Sequence, residues 1–291
     1  MSELVQYLIT GVGGGCAFAL VGSGLVAIYR VTRVVNFAQG GFAVIAALTA
    51  STLLAAGLPH GLAEGLAVAV GAGTGLLVGL VAIGKPGTPP GAALIVTLGL
   101  GVFAYAVEVL IWGDQPRSFP GVPGAVEVFG ARFQAHYLLI IGATLAVFAG
   151  MGLLFTRTDV GRALSACASN PYAAKVVGIS VTRMGLVSFA LGGALGGLAG
   201  VLVTPIQLVT FDYDVTLIVG GFAAAILGGL VRPALTLAGG LLLGVAQALV
   251  AGYGNAAYQM EVALVLMLAV MIWQAARKPI AQEESMEGQA A

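Results

Sequence analysis

Apolar residues run through this chain in long blocks that carry no charged side chain, at positions 34–63, 65–84, 86–107, 133–156, 184–211 and 233–260, with shorter blocks at 215–231 and 262–276. A bilayer core demands about 20 consecutive apolar residues of a helix, so the long blocks are predicted to span one. With the N-terminal stretch they resolve into nine apolar segments, near 5–28, 38–56, 62–83, 93–112, 136–155, 185–206, 216–231, 235–252 and 258–275. The predicted fold class is an all-α membrane protein, a polytopic helical bundle of about 8–9 transmembrane segments. Segments two and seven are short enough to be broken or re-entrant, an arrangement tolerated only where protein surrounds the irregular backbone.

Between the fifth and sixth segments the pattern breaks. Residues 156–183, TRTDVGRALSACASNPYAAKVVGISVTR, form a polar island with four basic residues, Arg157, Arg162, Lys175 and Arg183. Thr158-Asp159 can cap and open a short helix, with the carboxylate near its positive end. Asn170-Pro171 opens a second, because Asn satisfies orphan backbone N–H groups and Pro at the first helical position gives up no available bond. Gly178 can end it in the left-handed conformation. Two short helices exceed what a turn requires. A docking surface for a cytoplasmic partner is one reading of them, and a solvated loop is the other.

Composition supports the membrane assignment: 59% of residues are hydrophobic and 8% charged, with a mean hydropathy of +1.03, against about 25% charged in soluble domains. Glycine accounts for 45 of 291 residues, more than twice its usual share of about 7%, which predicts a bundle whose helices approach closely. The net charge of zero gives no attraction for nucleic acid. The first residues, MSELVQYL, lack the basic leader and cleavage site of a signal peptide, so the first apolar segment is expected to be retained. Placing the polar island in the cytoplasm puts Arg30, Arg33, Lys85, Arg157, Arg162, Lys175, Arg183, Arg232, Arg277 and Lys278 inside, leaving only Arg117 and Arg132 of the 12 basic residues outside. By the positive-inside rule the N-terminus is then out and the C-terminus in. A further echo, GGFAVIAAL at 40–48 against GGFAAAILG at 220–228, fits either chance or an inverted pair of half-bundles.

Candidate chemistry is sparse. Cys16 and Cys167 fall on opposite sides of the inner boundary, which argues against a disulfide, and no cysteine or histidine has metal-ligand spacing. His60 and His136 are expected to be solvated loop residues. GLVAIGK at 79–85 approaches a phosphate-binding loop, but Pro86 stands where a Mg²⁺-binding hydroxyl belongs, and GAGTG at 71–75 reads as packing glycine, so no nucleotide site is expected. Asn36 and Gln39 have the spacing of a capping box at the start of segment two, or alternatively line a polar path. Glu108 and Glu261 fall within or beside spans, where an ionisable group is costly, and are the other candidate path residues, although both could reach headgroups. Glu64 is a weaker candidate, and solvation accounts for Asp212 and Asp214 beside the outer loop 113–135. No Ser/His dyad or HExxH points to catalysis in this chain.

Three blocks in order carry a family likeness. GSGLVAIYRVTRVVNFAQGGFAVIAA (22–47), TDVGRALSACASNPYAAKVVGISVTRMGLVSFALGGALGGLAGVL (158–202) and GGFAAAILGGL with ALTLAGGLLLGVAQAL (within 220–249) resemble the permease subunits of branched-chain amino-acid ABC importers, the LivH-like family. The resemblance implies a permease domain over 1–279 with its coupling loop at 156–184 and a disordered cytoplasmic tail at 280–291, in the cell inner (plasma) membrane. It implies as partners a second related permease, two cytoplasmic ABC ATPases, an extracytoplasmic substrate-binding protein and a small-molecule solute, with ATP bound by the ATPases and no cofactor in this chain. The island residues matching the family loop are Gly161, Arg162, Ala163, Asn170, Ala173, Ala174, Gly178 and Ile179. Of these, Gly161, Arg162, Asn170, Ala174 and Gly178, together with Asp159, Pro171 and Lys175, make the expected ATPase-coupling surface. Where the family commonly has His-Gly-Glu, this chain reads Gln39-Gly40-Gly41. The implied activity is inward transport of branched-chain or other apolar amino acids; urea, short amides and aromatic or other carboxylic acids are the alternatives within the family, and an ion-gradient secondary transporter the alternative outside it.

Overall fold

The computed structural model describes residues 2–85, 88–128, 130–230 and 233–277. Pro86, Arg232, Lys278 and the tail 280–291 lie outside the described residues. The chain runs α1 (Ser2–Thr32), α2 (Gln39–Ala55), α3 (Leu62–Ile83), α4 (Pro90–Trp112), β1 (Ala125–Val128), β2 (Ala131–Gln134), α5 (His136–Arg157), α6 (Asp159–Ser169), α7 (Pro171–Val176), α8 (Val181–Val203), α9 (Tyr213–Leu227), α10 (Pro233–Tyr253) and α11 (Gln259–Arg277). Among the described residues, seven helices are long and apolar enough to cross a membrane, while α2 and α9 are shorter apolar helices of 17 and 15 residues. At 1.5 Å per residue these two reach only about 22–26 Å, short of a hydrocarbon core of about 30 Å. Each is entered through non-helical backbone, 33–38 before α2 and 204–212 before α9. The nine apolar segments and the two broken ones thus appear where the hydropathy pattern put them.

The helices form two halves of opposite direction. α1 packs most extensively on α10 and α3 on α8; α1 with α9 mirrors α8 with α2, and α2 with α3 mirrors α9 with α10. Exchanging α1–α4 with α8–α11 maps this pattern onto itself. The direction is inverted, since Thr32 lies against Gly185 while Ile28 and Gly24 lie against Gly192, so α1 and α8 run antiparallel. The echo between 40–48 and 220–228 falls on α2 and α9, which this exchange pairs.

Glycines set the two principal seams. A Cβ on Gly11 would lie 2.7 Å from the Cα of Val245, one on Gly15 would lie 2.6 Å from the carbonyl oxygen of Gly240, and one on Gly71 would lie 2.9 Å from that of Gly193. Gly244 meets the Gly11 carbonyl, and Gly75 that of Phe189, more closely still. Spacing of four residues (11/15, 240/244, 71/75, 193/197) places each glycine set on one helix face, and the backbones meet with no side chain between them. Of the glycines of GAGTG, Gly73 meets nothing within 4 Å, whereas Gly71 and Gly75 are packing residues. So is Gly79 of the phosphate-loop look-alike, which abuts the Phe189 ring.

One element was not visible in the sequence. The outer loop folds into an antiparallel hairpin with Ala125 opposite Gln134 and Glu127 opposite Arg132, turning at Gly130 with φ of 77°. Four-residue strands are too short to show alternation, and the prolines before them read as irregular loop. The preceding stretch is tied down by paired backbone bonds of 2.9 Å between Arg117 and Val209, just before α9.

The seams generate a direct test. Gly193→Val, forced against the carbonyl of Gly71, should cost at least about 1–3 kcal/mol and lower both membrane accumulation and melting temperature in detergent. Gly73→Ala, on the same helix pair but with nothing within 4 Å, should melt like the parent.

Candidate functional site

The break before α2 is organised by side chains. Val34 N–H donates to Thr32 Oγ1 (3.2 Å), Phe37 N–H to Thr97 Oγ1 (3.3 Å) and Ala38 N–H to Asn36 Oδ1 (3.1 Å), and Thr97 Oγ1 reaches the carbonyls of Val35 (3.3 Å) and Leu94 (2.9 Å). Non-helical backbone inside a bundle must find such partners because lipid supplies none. The capping box expected of Asn36 and Gln39 does not form. The helix starts at Gln39 itself, its N-cap Ala38 has no side-chain cap, and the amides pair with each other, Asn36 Nδ2 donating to Gln39 Oε1 at 3.3 Å. Gln39 Nε2 donates to the Gly192 carbonyl at 2.8 Å, joining α2 to the middle of α8. Both amides are fully buried.

Of the acids, Glu108 is inside the protein and not at a headgroup. It is 0% exposed, buried with Ala93 and Thr97 on a helix that mostly faces outward, and neither of its carboxylate oxygens has a hydrogen-bond partner. Its Oε1 lies 3.7 Å from where a Cβ on Gly41 would sit, and the backbone of Asp214 presses on the adjoining Gly40. Asp214 is not a solvated loop residue either: it begins α9 and is half-buried, with Oδ1 unpartnered. Gly40-Gly41 is thus flanked by the Glu108 carboxyl from α4 and by the backbone of Asp214, whose own carboxyl opens α9. Glu261 does not join them, lying exposed in the first turn of α11. Glu64 serves α3 as a cap, accepting from Gly61 N–H at 2.5 Å with His60 at 2.7 Å. His136 is buried, contrary to expectation. Its Nδ1 accepts from Val122 N–H (3.2 Å), so Nε2 carries the proton and donates to the Leu202 carbonyl (2.9 Å), fixing the outer loop to α8.

At the opposite end of the bundle the polar island forms α6 and α7 with the caps read from sequence. Thr158 Oγ1 accepts from Gly161 N–H at 3.0 Å, and Asn170 Oδ1 accepts from Tyr172 and Ala173 N–H at 3.0 Å each, with Pro171 as the first helical residue. Gly178, at φ of 86°, ends α7, while Ile179 N–H returns to the Ala174 carbonyl and Gly178 N–H to that of Lys175. This is a Schellman closure. Gly161 lies against the backbone of Leu154 and Phe155, so no side chain fits at that position. Leu164, Cys167 and Ala174 are buried with Val31 of α1, and Arg33 donates to the Ala168 carbonyl at 3.2 Å. Burial pushes the Cys167 thiol up. Asp159 and Arg162 are an exposed pair at 3.5 Å, worth little in stability. Tyr172, Val176 and Val177 are 78%, 72% and 74% exposed beyond the ends of the spanning helices. The loop is a rigid two-helix platform with an apolar tip.

A cavity of about 810 Å³ lies at the hairpin end between α1, α9, α10 and α11. Below it a pocket of about 90 Å³ includes Asn36 in its wall. Sequence reasoning missed Thr97 and the cavity's glutamines and read Asp214 as solvated, because the neighbours that decide their surroundings come from other helices.

Residues 7–273 match the family model described as branched-chain amino acid transport system / permease component. The chain belongs to that permease family. It is 31% identical over 273 residues to a probable branched-chain amino acid transport permease protein LivH of Methanocaldococcus jannaschii, covering 87% of this chain and 85% of that protein. It is 27% identical to the high-affinity LivH permease of Escherichia coli K12, covering 92% of each. A xylose/arabinose import permease of Sulfolobus acidocaldarius shares 30% identity over 47% of this chain. In fold the permease is similar to PsaBC from Streptococcus pneumoniae solved with a Fab, with a TM-score of 0.51 at 14% identity over 93% of this chain and 91% of that one.

The buried Glu108 carboxyl yields a prediction for the permease. Glu108→Gln keeps the shape and removes an ionisable group that nothing pairs with, so it should accumulate in membranes and melt at or above the parental temperature. Glu108→Lys, which forces a longer charged group between α2 and α9, should accumulate poorly.

Proposed function

We propose that this permease is the membrane-spanning subunit of an ATP-driven importer that moves branched-chain or other apolar amino acids inward. A second related permease, two cytoplasmic ABC ATPases and an extracytoplasmic binding protein complete the assembly. The observation that carries this reading is the capped α6–α7 platform, whose apolar tip of Tyr172, Val176 and Val177 stands outside the spanning bundle. Exposed apolar side chains on a rigid, polar-flanked element fit a groove on a partner. Asp159, Gly161, Arg162, Asn170, Pro171, Ala174, Lys175 and Gly178 build that platform, and the buried Val31–Leu164–Cys167–Ala174 contact ties it to α1.

The orientation follows from charge. Arg30, Arg33, Lys85, Arg157, Arg162, Lys175 and Arg183 sit at the platform end, with Arg277 at the end of α11, and Arg117 and Arg132 at the hairpin end. The positive-inside rule then places the platform and the C-terminal end in the cytoplasm and the N-terminal end outside the inner membrane.

Reconstitution tests the whole reading: leucine uptake into proteoliposomes should need the ATPases, the binding protein and ATP on the platform side. Uptake by the isolated chain on an ion gradient would instead establish a secondary transporter, and uptake of urea or a sugar in place of leucine would reassign the solute.

Two further outcomes are expected. In a variant without Cys16 and Cys167, Ser169→Cys should resist impermeant thiol reagents added outside intact cells and react when the inner face is opened; ready labelling from outside overturns the orientation. Asn170→Ala removes a cap worth about 0.5–2 kcal/mol, and Gly178→Val opposes the left-handed terminus. The double variant should reach normal membrane levels yet lose solute-stimulated ATP hydrolysis. Parental transport by that variant would show that the platform is only a loop.

A further inference from the structure

The cavity of about 810 Å³ at the hairpin end has a wall of uncharged side chains. Its polar side chains are amides and hydroxyls, among them Gln6, Thr10, Gln207, Tyr213 and Gln247, set among apolar residues, and among the described residues none that lines it is Asp, Glu, Lys, Arg or His. The amides are held in place yet keep capacity for a ligand. Tyr213 Oη donates to Gln207 Oε1 at 2.7 Å, which leaves the Gln207 NH₂ as a donor. Gln247 Nε2 donates to the Gln259 carbonyl at 2.8 Å, which leaves Gln247 Oε1 as an acceptor. Such groups are costly among apolar helices unless they face water or a solute. An outer annex of about 310 Å³ shares Gln6, Thr10 and Tyr137 with the cavity, and its one charged wall residue, Arg132, stands opposite Glu127 on the hairpin.

The cavity's floor is a single apolar layer. Phe18 of α1 and Val219 of α9 line it, and the backbone of Gly220 lies directly on the Phe18 ring. Val219 also borders the pocket of about 90 Å³ on the platform side, where Asn36, Phe37 and Phe222 contribute to the wall. A polar chamber, an apolar constriction and a second pocket therefore follow one another along α9. Apolar constrictions hold back water and ions while a route is closed.

We propose that this chamber is a solute-binding vestibule on the import route, that it takes small polar solutes carrying no net charge, and that the Phe18–Val219 layer is its closed floor. The proposal rests on the importer reading above. An uncharged wall with fixed donors and acceptors can satisfy a zwitterion or a neutral amide, whereas a net charge would enter a partly dehydrated chamber with no counter-ion.

The test uses the complete importer in proteoliposomes, with radiolabelled leucine as probe and the two native cysteines replaced. Uptake by the cysteine-free importer with Thr216 intact is measured first, and its absence would overturn the importer reading itself; the Thr216→Cys importer is then compared before and after labelling. A neutral, polar methanethiosulfonate (the hydroxyethyl reagent) added on the hairpin side should then react with Cys at 216 and cut uptake at least about tenfold, with excess leucine and binding protein slowing the reaction. Gln247→Lys should lower uptake by about tenfold or more, and Gln247→Ser by less. Val219→Trp should abolish uptake at normal membrane level while ATP hydrolysis persists. Full uptake by the labelled Thr216→Cys importer, or by both Gln247→Lys and Val219→Trp, would overturn the vestibule.

Discussion

Where α1 meets α10 and α3 meets α8, backbone touches backbone, and the rest of the bundle is arranged around those two seams. In lipid there is little hydrophobic force to draw helices together, so association depends on dispersion contact and on how closely the chains approach. Gly11, Gly15, Gly240 and Gly244 on one seam, and Gly71, Gly75, Gly193 and Gly197 on the other, let backbone meet backbone at the points of closest approach. Because the seams join helices from different halves, they lock the two inverted halves together. The short helices α2 and α9 lie between the locked pairs, and this lets their ends stop inside the protein. The fold tolerates broken helices because the unbroken ones are packed so tightly.

A broken helix then sets a second requirement, that each freed backbone group find a partner. The stretch 33–38 meets it with Thr32, Asn36 and Thr97, while Gln39 reaches the Gly192 carbonyl across α8. Glu108 stands apart because its oxygens have no such partners. Its Oε1 lies beside Gly41, so the one carboxyl that α4 brings inside borders the start of the short helix α2.

Much of this was legible in the sequence, and the reason differs by feature. Spans were readable because a bilayer converts composition into length. The caps at Thr158, Asn170 and Gly178 were readable because capping is local, decided within four residues. The glycine count announced close packing without saying which helices meet. What failed were the inferences about depth and partner. His136 looked like a loop histidine and is a buried bridge to Leu202; Asp214 looked solvated and begins a helix inside the bundle; Asn36 and Gln39 had capping-box spacing but face each other as side chains. In each case the deciding neighbour comes from a helix remote in sequence, Leu202 for His136 and Gly192 for Gln39. A one-dimensional pattern does not carry that information.

The same long-range contacts give the proposed importer a mechanical logic. α1 is an unbroken helix of 31 residues that touches every part the function would use. Near one end Val31 is buried with Leu164 and Cys167 of the platform, and Arg33, just beyond that end, holds the Ala168 carbonyl. In its middle Gly24 lies against Gln39, and Gly22 against Gly221 of α9. Further along, Phe18 closes the floor of the cavity and Gln6 and Thr10 form part of its wall. A helix packed by backbone contact cannot bend locally to absorb a push at one end, since close-packed interiors transmit displacement. Motion of the platform against α1 would therefore reach the α2 and α9 breaks and the Phe18 layer together. Two-state switching needs an element that both sites bias. Among the described residues, α1 with its glycine seam is in contact with the platform, the breaks and the cavity, and so is the element that both ends can bias.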